Sequence, residues 1–467
     1  MLRQIPPHGF RTFVILWFSQ SMSVIGSGLT FFVMTIWLTT VLYPKPEQKA
    51  ELAFALTAIS LAFALPTVFG APIAGSWADR HDRKHTMMIM DFLSGCLSLT
   101  LATLAFGKAL TLWVLVILMV FYSLLGAFHS AAFDTSYIMI VPEKQLTRAN
   151  GMMQTTWSLS GILSPGIAAA IIALPGLARQ GVIPGSVGLY LSRLADGTSL
   201  AIVVDAVTFF LVAGTLLFLF IPSPKRTDLG ESGELDKSLW ADVKVGALYI
   251  RYRQPLLWLL GTFAVANFAS SGAFQVLVPL LVKFNLFADW SAHGFTFETA
   301  LALLLSVGGL GGVVSGFVMS TWGGLKMRRV YGVIIPLIIA GAAQIVYGIS
   351  QSLYLTAAMD AIAGGMIPVM NSHSTAIWQI VTPPELQGRV FSVRRLIAQF
   401  TWPISAAFAG WAGGSFNPGI VIATLGAVLT IFCAIQLFNP YLLRVEDKRW
   451  LDELASGQNT KQERNQI

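Results

Sequence analysis

Apolar residues along this chain fall in long blocks separated by short polar connections. Twelve blocks can be marked, at approximately 11–42, 52–76, 86–106, 111–140, 152–174, 198–222, 254–283, 298–322, 330–350, 353–381, 391–414 and 418–440. A helix needs roughly 20 apolar residues to cross the ~30 Å hydrocarbon core of a bilayer. In lipid, only helices and closed barrels satisfy their own backbone polar groups, and a barrel strand would alternate in polarity over ~10 residues. These blocks are longer and continuous. They predict an all-α integral membrane protein with twelve transmembrane helices. The thinnest divisions are the turns at 106–110 and 350–352.

The longest polar interruption begins at Pro222 and carries Pro224, Gly230, Gly233 and mixed charges. It divides the chain into an N-terminal six-helix half (1–222), a cytoplasmic central linker (223–253), a C-terminal six-helix half (254–440) and a cytoplasmic tail (441–467). Twelve spans put both termini on one side, and the basic residues say which. Lys45, Lys49, Lys108, Arg179, Arg193 and Lys283 lie in one set of connections, leaving 24 of the 30 Lys and Arg in the other. Cytoplasmic connections carry the excess of bases. Both termini are therefore expected in the cytoplasm of a cell whose inner (cytoplasmic) membrane holds the chain as a multi-pass protein. The connection at 175–197 is the longest on the outer side, and its Gly and Pro content predicts irregular structure.

Composition agrees. Hydrophobic residues make up 55% of the 467 and charged residues 11%, against roughly 25% charged in a soluble domain. A net charge of +7 would raise nucleic acid as a partner of a soluble protein. Here the bases lie between apolar blocks, so orientation explains them and no nucleic acid is expected. Cys96 and Cys433 fall inside predicted spans as small packing residues, with no disulfide framework. The first block is too long for a signal-peptide core and is not followed by a small-residue cleavage site.

The halves are weakly alike. His129-Ser130 in span four leads to Pro142-Glu143, Leu146 and Arg148; His373-Ser374 in span ten leads to Pro384-Glu385-Leu386 and Arg389. Six-span halves related by a repeat are the build of several transporter folds, with the substrate near the midplane. Between spans two and three stands Gly75-Ser76-Trp77-Ala78-Asp79-Arg80-His81-Asp82-Arg83-Lys84. Gly75 permits close packing, Asp79 offers a carboxylate at the membrane face, and Arg83 and Lys84 sit where bases are favoured. A carboxylate here can meet a neighbouring base or the positive end of a helix. Such a contact could break when a transporter changes state, or the bases could serve orientation alone. This loop resembles the signature of the major facilitator superfamily, in which Gly75, Asp79, Arg80, Arg83 and Lys84 match and Asp82 replaces a usual glycine. A degenerate counterpart without the acid lies at Gly316, Gly323, Gly324, Lys326, Arg328 and Arg329. Within that family, Trp17, Gln20, Ser23, Gly26 and Ser27, the run Gly126 to Ala131, and Asp205-Ala206 with Phe209 are similar to the drug-exporter branch that includes macrolide-efflux proteins. Gly161, Ser164, Pro165 and Gly166 in span five resemble that superfamily's antiporter motif, with Ser164 in place of a glycine. In physical terms Pro165 kinks the helix, and the small residues let neighbours approach. Gly308, Gly312 and Gly316 bare one face of span eight for packing.

Ionisable groups inside spans are costly and point to function. Asp91, Asp134, Asp205, Asp360, His129 and His373 are the candidates for proton coupling. For Asp205 a helix-end structural role is an equal alternative, Asp134 can be a boundary residue, and both histidines can be hydrogen-bonded packing residues. Spans one, four, seven and ten line the cavity in the family this chain resembles. On them lie Trp17, Gln20, Trp37, Phe128, Asn267, Phe274, Gln275, Asn371 and Trp378. Aromatics with a few amides suit a bulky amphipathic molecule, although each could equally pack against helices or lipid. No phosphate-binding loop, metal-spaced Cys/His cluster or catalytic constellation is visible. The expectation is a non-enzymatic, cofactor-free, monomeric exporter whose partners are a small hydrophobic or amphipathic molecule, protons and the lipid bilayer. Export of an endogenous metabolite such as a siderophore, lipid translocation, proton-coupled uptake and a non-transporting scaffold are the rival readings.

Overall fold

A continuous apolar block in lipid has one local solution, because every backbone N–H must find its acceptor within the segment. In the computed structural model each of the twelve blocks is a helix. The structure describes residues 9–142, 145–221, 244–454 and 456, without the side chains of Asp79, Ile138, Leu146, Thr147, Pro384 and Glu385. Most of the linker expected at 223–253, the end of the tail, and Glu143 fall outside the described residues.

The long helices are α1 (Gly9–Trp37), α2 (Lys49–Arg80), α3 (Arg83–Phe106), α4 (Leu112–Ile140), α5 (Leu146–Arg179), α7 (Thr198–Phe218), α9 (Gln254–Phe284), α11 (Phe297–Trp322), α12 (Tyr331–Ile349), α13 (Leu353–Val381), α14 (Pro384–Ser415) and α15 (Pro418–Gln436). Short helices fill the gaps: α6 (Gly185–Ser192), α8 (244–251), α10 (Phe287–Ala292) and α16 (Pro440–Leu443). Among the described residues, eleven of the long helices are long and apolar enough to cross a membrane. The twelfth, α14, has 32 residues but carries Arg389, Arg394 and Arg395 in its first half. Both thin divisions are real turns. One contains Lys108 at φ 55°, a left-handed residue that closes the 106–111 connection.

Two local readings differ. The connection at 175–197 is not irregular throughout: α5 runs on to Arg179 and α6 occupies its middle. The first block ends in a π-helical turn over Leu38–Leu42 instead of continuing as α-helix.

The chain forms two compact units, Met1–Asp228 with Trp290–Ser306 and Leu229–Asp289 with Val307–Ile467. In the first, α1 packs on α5 and α7, α3 on α4 and α7, and α2 on α4. In the second, α9 packs on α14 and α15, and α12 on α13 and α15. Counting the long helices in chain order, the four pairings of the second unit repeat four of the five in the first, the α2–α4 pairing being the exception. The repeat that two His-Ser pairs hinted at is thus a repeat of helix contacts.

The outward faces are apolar. On α7, Val203, Val207 and Leu211 stand exposed at four-residue spacing, and on α15 Val428, Ile431 and Ile435 at spacings of three and four. Such stripes would be a liability in water; in lipid they are the solvated surface.

Candidate functional site

The turn between α2 and α3 shows what the signature residues do. Asp82, which stands where a glycine was expected, is the N-cap of α3 and accepts from the His85 N–H at 2.8 Å. The departure from the pattern is thereby compensated, since a capping carboxylate satisfies one of the orphan donors at a helix start. His81 stacks on Trp77 with ring centroids 3.7 Å apart. Arg83 is buried; its Nε donates to the Ala78 carbonyl at 3.3 Å and its Nη1 to the Thr135 carbonyl at 3.3 Å. Lys84 Nζ donates to the Leu217 carbonyl at 3.1 Å. Bases at the C-terminal ends of α2, α4 and α7 meet the negative end of each helix dipole. Arg80 is exposed, Gly75 faces open space, and the Asp79 side chain lies outside the described residues.

α1 and α5 run in the same direction along a polar seam. Trp17 Nε1 donates to the Met152 carbonyl (2.9 Å), Ser21 shares a hydrogen bond with Thr156 (2.7 Å), Ser160 donates to the Val24 carbonyl (3.1 Å) and Ser164 to the Ile25 carbonyl (2.9 Å). Positions 152, 156, 160 and 164 are spaced by four, one face of a helix. Gly28 makes the approach possible, because a Cβ there would meet Ser164 and Ser160. Pro165 and Ser164 are buried in this seam, while Gly161 and Gly166 face open space. In the second unit α9 and α14 meet in the same manner: Ser405 donates to the Phe268 carbonyl at 2.6 Å, and Gly272 lies against the Trp402 carbonyl.

The acids divide by environment. Asp205 lies two turns inside α7 and is fully buried. Its Oδ2 accepts from Thr30 of α1 (2.6 Å) and Ser98 of α3 (2.9 Å), and it shares the single hydroxyl proton of Tyr122 of α4 (3.2 Å) with Ser27 Oγ, which lies closer to that hydroxyl at 2.7 Å. Four helices therefore converge on one carboxylate. Asp91, 2% exposed, has Oδ1 3.4 Å from His129 Nε2, and the His129 ring lies flat over Phe133. Asp134 is exposed. In the second unit Asp360 packs against the bare face of α11, where a Cβ on Gly308 would collide with its carboxylate. Gly311 meets the Ala361 carbonyl on α13, whereas Gly316 meets nothing. His373 is held by backbone at both ring nitrogens. Nδ1 contacts the Val369 carbonyl at 2.7 Å, and Nε2 accepts from the Leu325 N–H at 2.8 Å. It pins the α11–α12 turn, in which Gly323 and Gly324 have φ of 76° and 75°. Arg329 in that turn pairs with Glu446 through its backbone N–H (2.9 Å) and Nη1 (3.2 Å). Arg253 pairs with Asp452 at 2.9 Å. The segment after α15 is thus fastened to the second unit, with Leu442, Val445 and Leu451 buried.

The expected cavity residues are spread over both units. Trp17 belongs to the α1–α5 seam. Gln20 is buried with Nε2 unpartnered, and Trp37 is 6% exposed. Phe128 meets Trp77 edge-on at 5.9 Å. Asn267 is half-buried and Asn371 exposed. Phe274 packs on Tyr347 at 5.4 Å, and Gln275 has a buried, unpartnered Oε1. Trp378 is 1% exposed beneath Arg394. Arg394 is a residue that counting bases left among the orientation signals. Its guanidinium lies over Phe263 (5.6 Å) and Trp378 (5.8 Å) and donates to Ser374 at 3.2 Å, with no carboxylate partner among the described residues. Its position inside an otherwise apolar block was the available signal. Thr30, Ser98 and Tyr122 carried none.

The family model described as Major Facilitator Superfamily matches residues 16–406. Macrolide efflux protein A of Streptococcus pyogenes is 26% identical over 409 residues, 86% of this chain and 90% of that protein. Its namesake in Enterococcus faecalis is 26% identical over 356 residues, covering 75% and 98%. Among solved structures, a bacterial homologue of the human lysosomal transporter Spinster superposes with a TM-score of 0.60 at 17% identity, covering 97% of this chain and 96% of the other. A POT family transporter in complex with 5-aminolevulinic acid gives a TM-score of 0.65 at 14% identity, covering 93% and 98%. Likeness at these identities speaks to fold.

Proposed function

Because the chain belongs to the major facilitator superfamily, we propose that it is a secondary active exporter. It moves a hydrophobic or amphipathic small molecule of the macrolide kind out of the cell by alternating access, in exchange for protons. Both termini lie in the cytoplasm and the chain spans the cytoplasmic membrane as a monomer. The direction and substrate class are supported by the likeness to macrolide efflux proteins along 86% of the chain. One observation on the molecule supports the energy source. Asp91, Asp205 and Asp360 are buried within helices of bilayer-spanning length, where a carboxylate is retained at a cost only if it does something.

The test is accumulation of erythromycin and of a lipophilic cationic dye in cells stripped of their major efflux pumps. The expected outcome is lower accumulation with the protein than with an empty vector, abolished by a protonophore. Equal accumulation at good expression would refute drug export.

A second reading is export of an acidic endogenous metabolite. Arg394 favours it, as a cation held between two aromatic rings without a carboxylate partner among the described residues. A carboxylate-bearing substrate would supply that partner. Under this reading Arg394→Ala abolishes export of the acidic compound and leaves neutral compounds unaffected.

A further inference from the structure

The environment of Asp205 is unequal at its two oxygens. Oδ2 gathers all three hydroxyl donors, from Thr30, Ser98 and Tyr122. Oδ1 is buried and has no hydrogen-bond partner among the described residues. A charged carboxylate oxygen left bare at this depth is expensive, whereas the carboxylic acid form carries no charge to be compensated. A metal cation would need several further oxygens around Oδ1. The space there is closed by α1: an atom built as the Cβ of Gly26 would lie 2.8 Å from Oδ1 and 3.2 Å from the Asp205 Cα. A proton needs no such shell.

The other candidates are less suited. Both His373 nitrogens are engaged with backbone. Asp134 is exposed and is not enclosed by several helices as Asp205 is. Asp91 also has one buried, unpartnered oxygen, Oδ2, but its Oδ1 lies 3.4 Å from His129, a base that can answer its charge directly, and no hydroxyls from other helices gather on it among the described residues. Among the described residues, no hydroxyl donors from several helices gather on Asp360, which lies against Gly308 of α11.

Resting on the exporter reading, we propose that Asp205 is the proton-coupling residue, with Oδ1 as the atom that takes up and releases the proton. In one half of the cycle Oδ1 receives a proton from water and the site becomes neutral. In the other it returns that proton to water, and the ionised carboxylate holds Thr30, Ser98 and Tyr122 more tightly. Thr30 is on α1, and Tyr122 ties Asp205 to Ser27 on the same helix. Protonation therefore alters the grip on α1, the helix that carries Trp17 and Gln20. Tyr122 is the titratable side chain in contact with Asp205. α1 brings none nearer than Arg11, and α7 has no other. On α3, Cys96 sits beside Ser98's turn, Asp91 lies two turns along, and Arg83, Lys84 and His85 stand at the start. On α4, His129 is two turns from Tyr122 with Asp134 and Tyr137 beyond; α5 has only Arg148 and Arg179 near its ends.

The test uses the purified full-length protein. Infrared difference spectra between acidic and alkaline buffer report the carbonyl stretch of protonated carboxyl groups. The expected result is a titrating band that vanishes in Asp205→Asn, survives in Asp91→Asn and Asp360→Asn, is indifferent to sodium, and changes its pH midpoint in Tyr122→Phe. The last variant removes one hydroxyl only and guards against misfolding of the first. In proteoliposomes, Asp205→Asn is expected to lose erythromycin movement driven by a pH gradient while keeping gradient-free exchange. A band that persists in Asp205→Asn, or gradient-driven transport that does, overturns the assignment. If the wild type moves no erythromycin, the macrolide reading fails, and the infrared band alone then decides whether Asp205 binds the proton.

Discussion

Gly28→Ala is the sharpest probe of the α1–α5 seam. A Cβ at position 28 would collide with Ser164 Oγ, and would lie 2.8 Å from the Ser164 Cβ and 3.0 Å from Ser160 Oγ. Real carbon atoms do not tolerate the first two contacts, so α1 must move away from α5. Overpacking of this kind costs about 1–3 kcal/mol, roughly 5- to 150-fold in the folded-to-unfolded ratio. Ser164→Gly alone loses the hydrogen bond to the Ile25 carbonyl, about 0.6 kcal/mol on average between membrane helices. It also replaces serine by glycine in a helix at a further cost of about 0.5 kcal/mol. The double variant removes both colliding Ser164 atoms and should be little worse than Ser164→Gly by itself. That is a coupling of about 1–3 kcal/mol between positions 136 residues apart, measurable by reversible unfolding in mixed detergent micelles. If the two changes add to within about 0.5 kcal/mol, the seam does not have this geometry.

Other outcomes are equally specific. Asp82→Ala should destabilise the α2–α3 turn by about 0.5–2 kcal/mol, and Asp82→Gly by only a few tenths, because glycine is a tolerable cap; the same unfolding assay reads the order. His373→Phe leaves the Leu325 N–H without its acceptor, a loss of about 1–3 kcal/mol. It should also speed proteolysis of the α11–α12 turn, as should Gly332→Ala, whose Cβ would enter the imidazole ring. Glu446→Gln removes the charge paired with Arg329, so trypsin should cut at Arg328 and Arg329 sooner than in the wild type. Unchanged cleavage would mean that the segment after α15 does not hold this turn.

The twelve helices were legible because secondary structure in lipid follows from segment length and apolarity. Even α14 was readable, although three arginines make it the least apolar of the set. What its apolar pattern did not reveal was the task of Arg394, which depends on Phe263, Ser374 and Trp378 arriving from two other helices. The paired His-Ser sequences correctly pointed to equivalent helices, α4 and α13. They suggested equivalent chemistry for the histidines, yet His129 faces a carboxylate and His373 faces backbone. The same two residues in a row say nothing of what the neighbouring helix presents. Asp205 was visible as a costly residue inside a span. Its partners, 83 to 175 residues away, are one threonine, one serine and one tyrosine, residue types common throughout this chain.

The amino-acid sequence by itself therefore determined the solvent, the number of helices, the repeat and the signature turn, all of which depend on residues close together in the chain. Tertiary structure alone decided which polar groups meet: Asp205 with three hydroxyls, Ser164 with α1, Arg329 with Glu446. Lipid is as apolar as the helices it surrounds, so hydrophobicity cannot choose how one helix rotates against another. That choice falls to close backbone contact at Gly28 and Gly272 and to hydrogen bonds between distant side chains, neither of which has a local period to read.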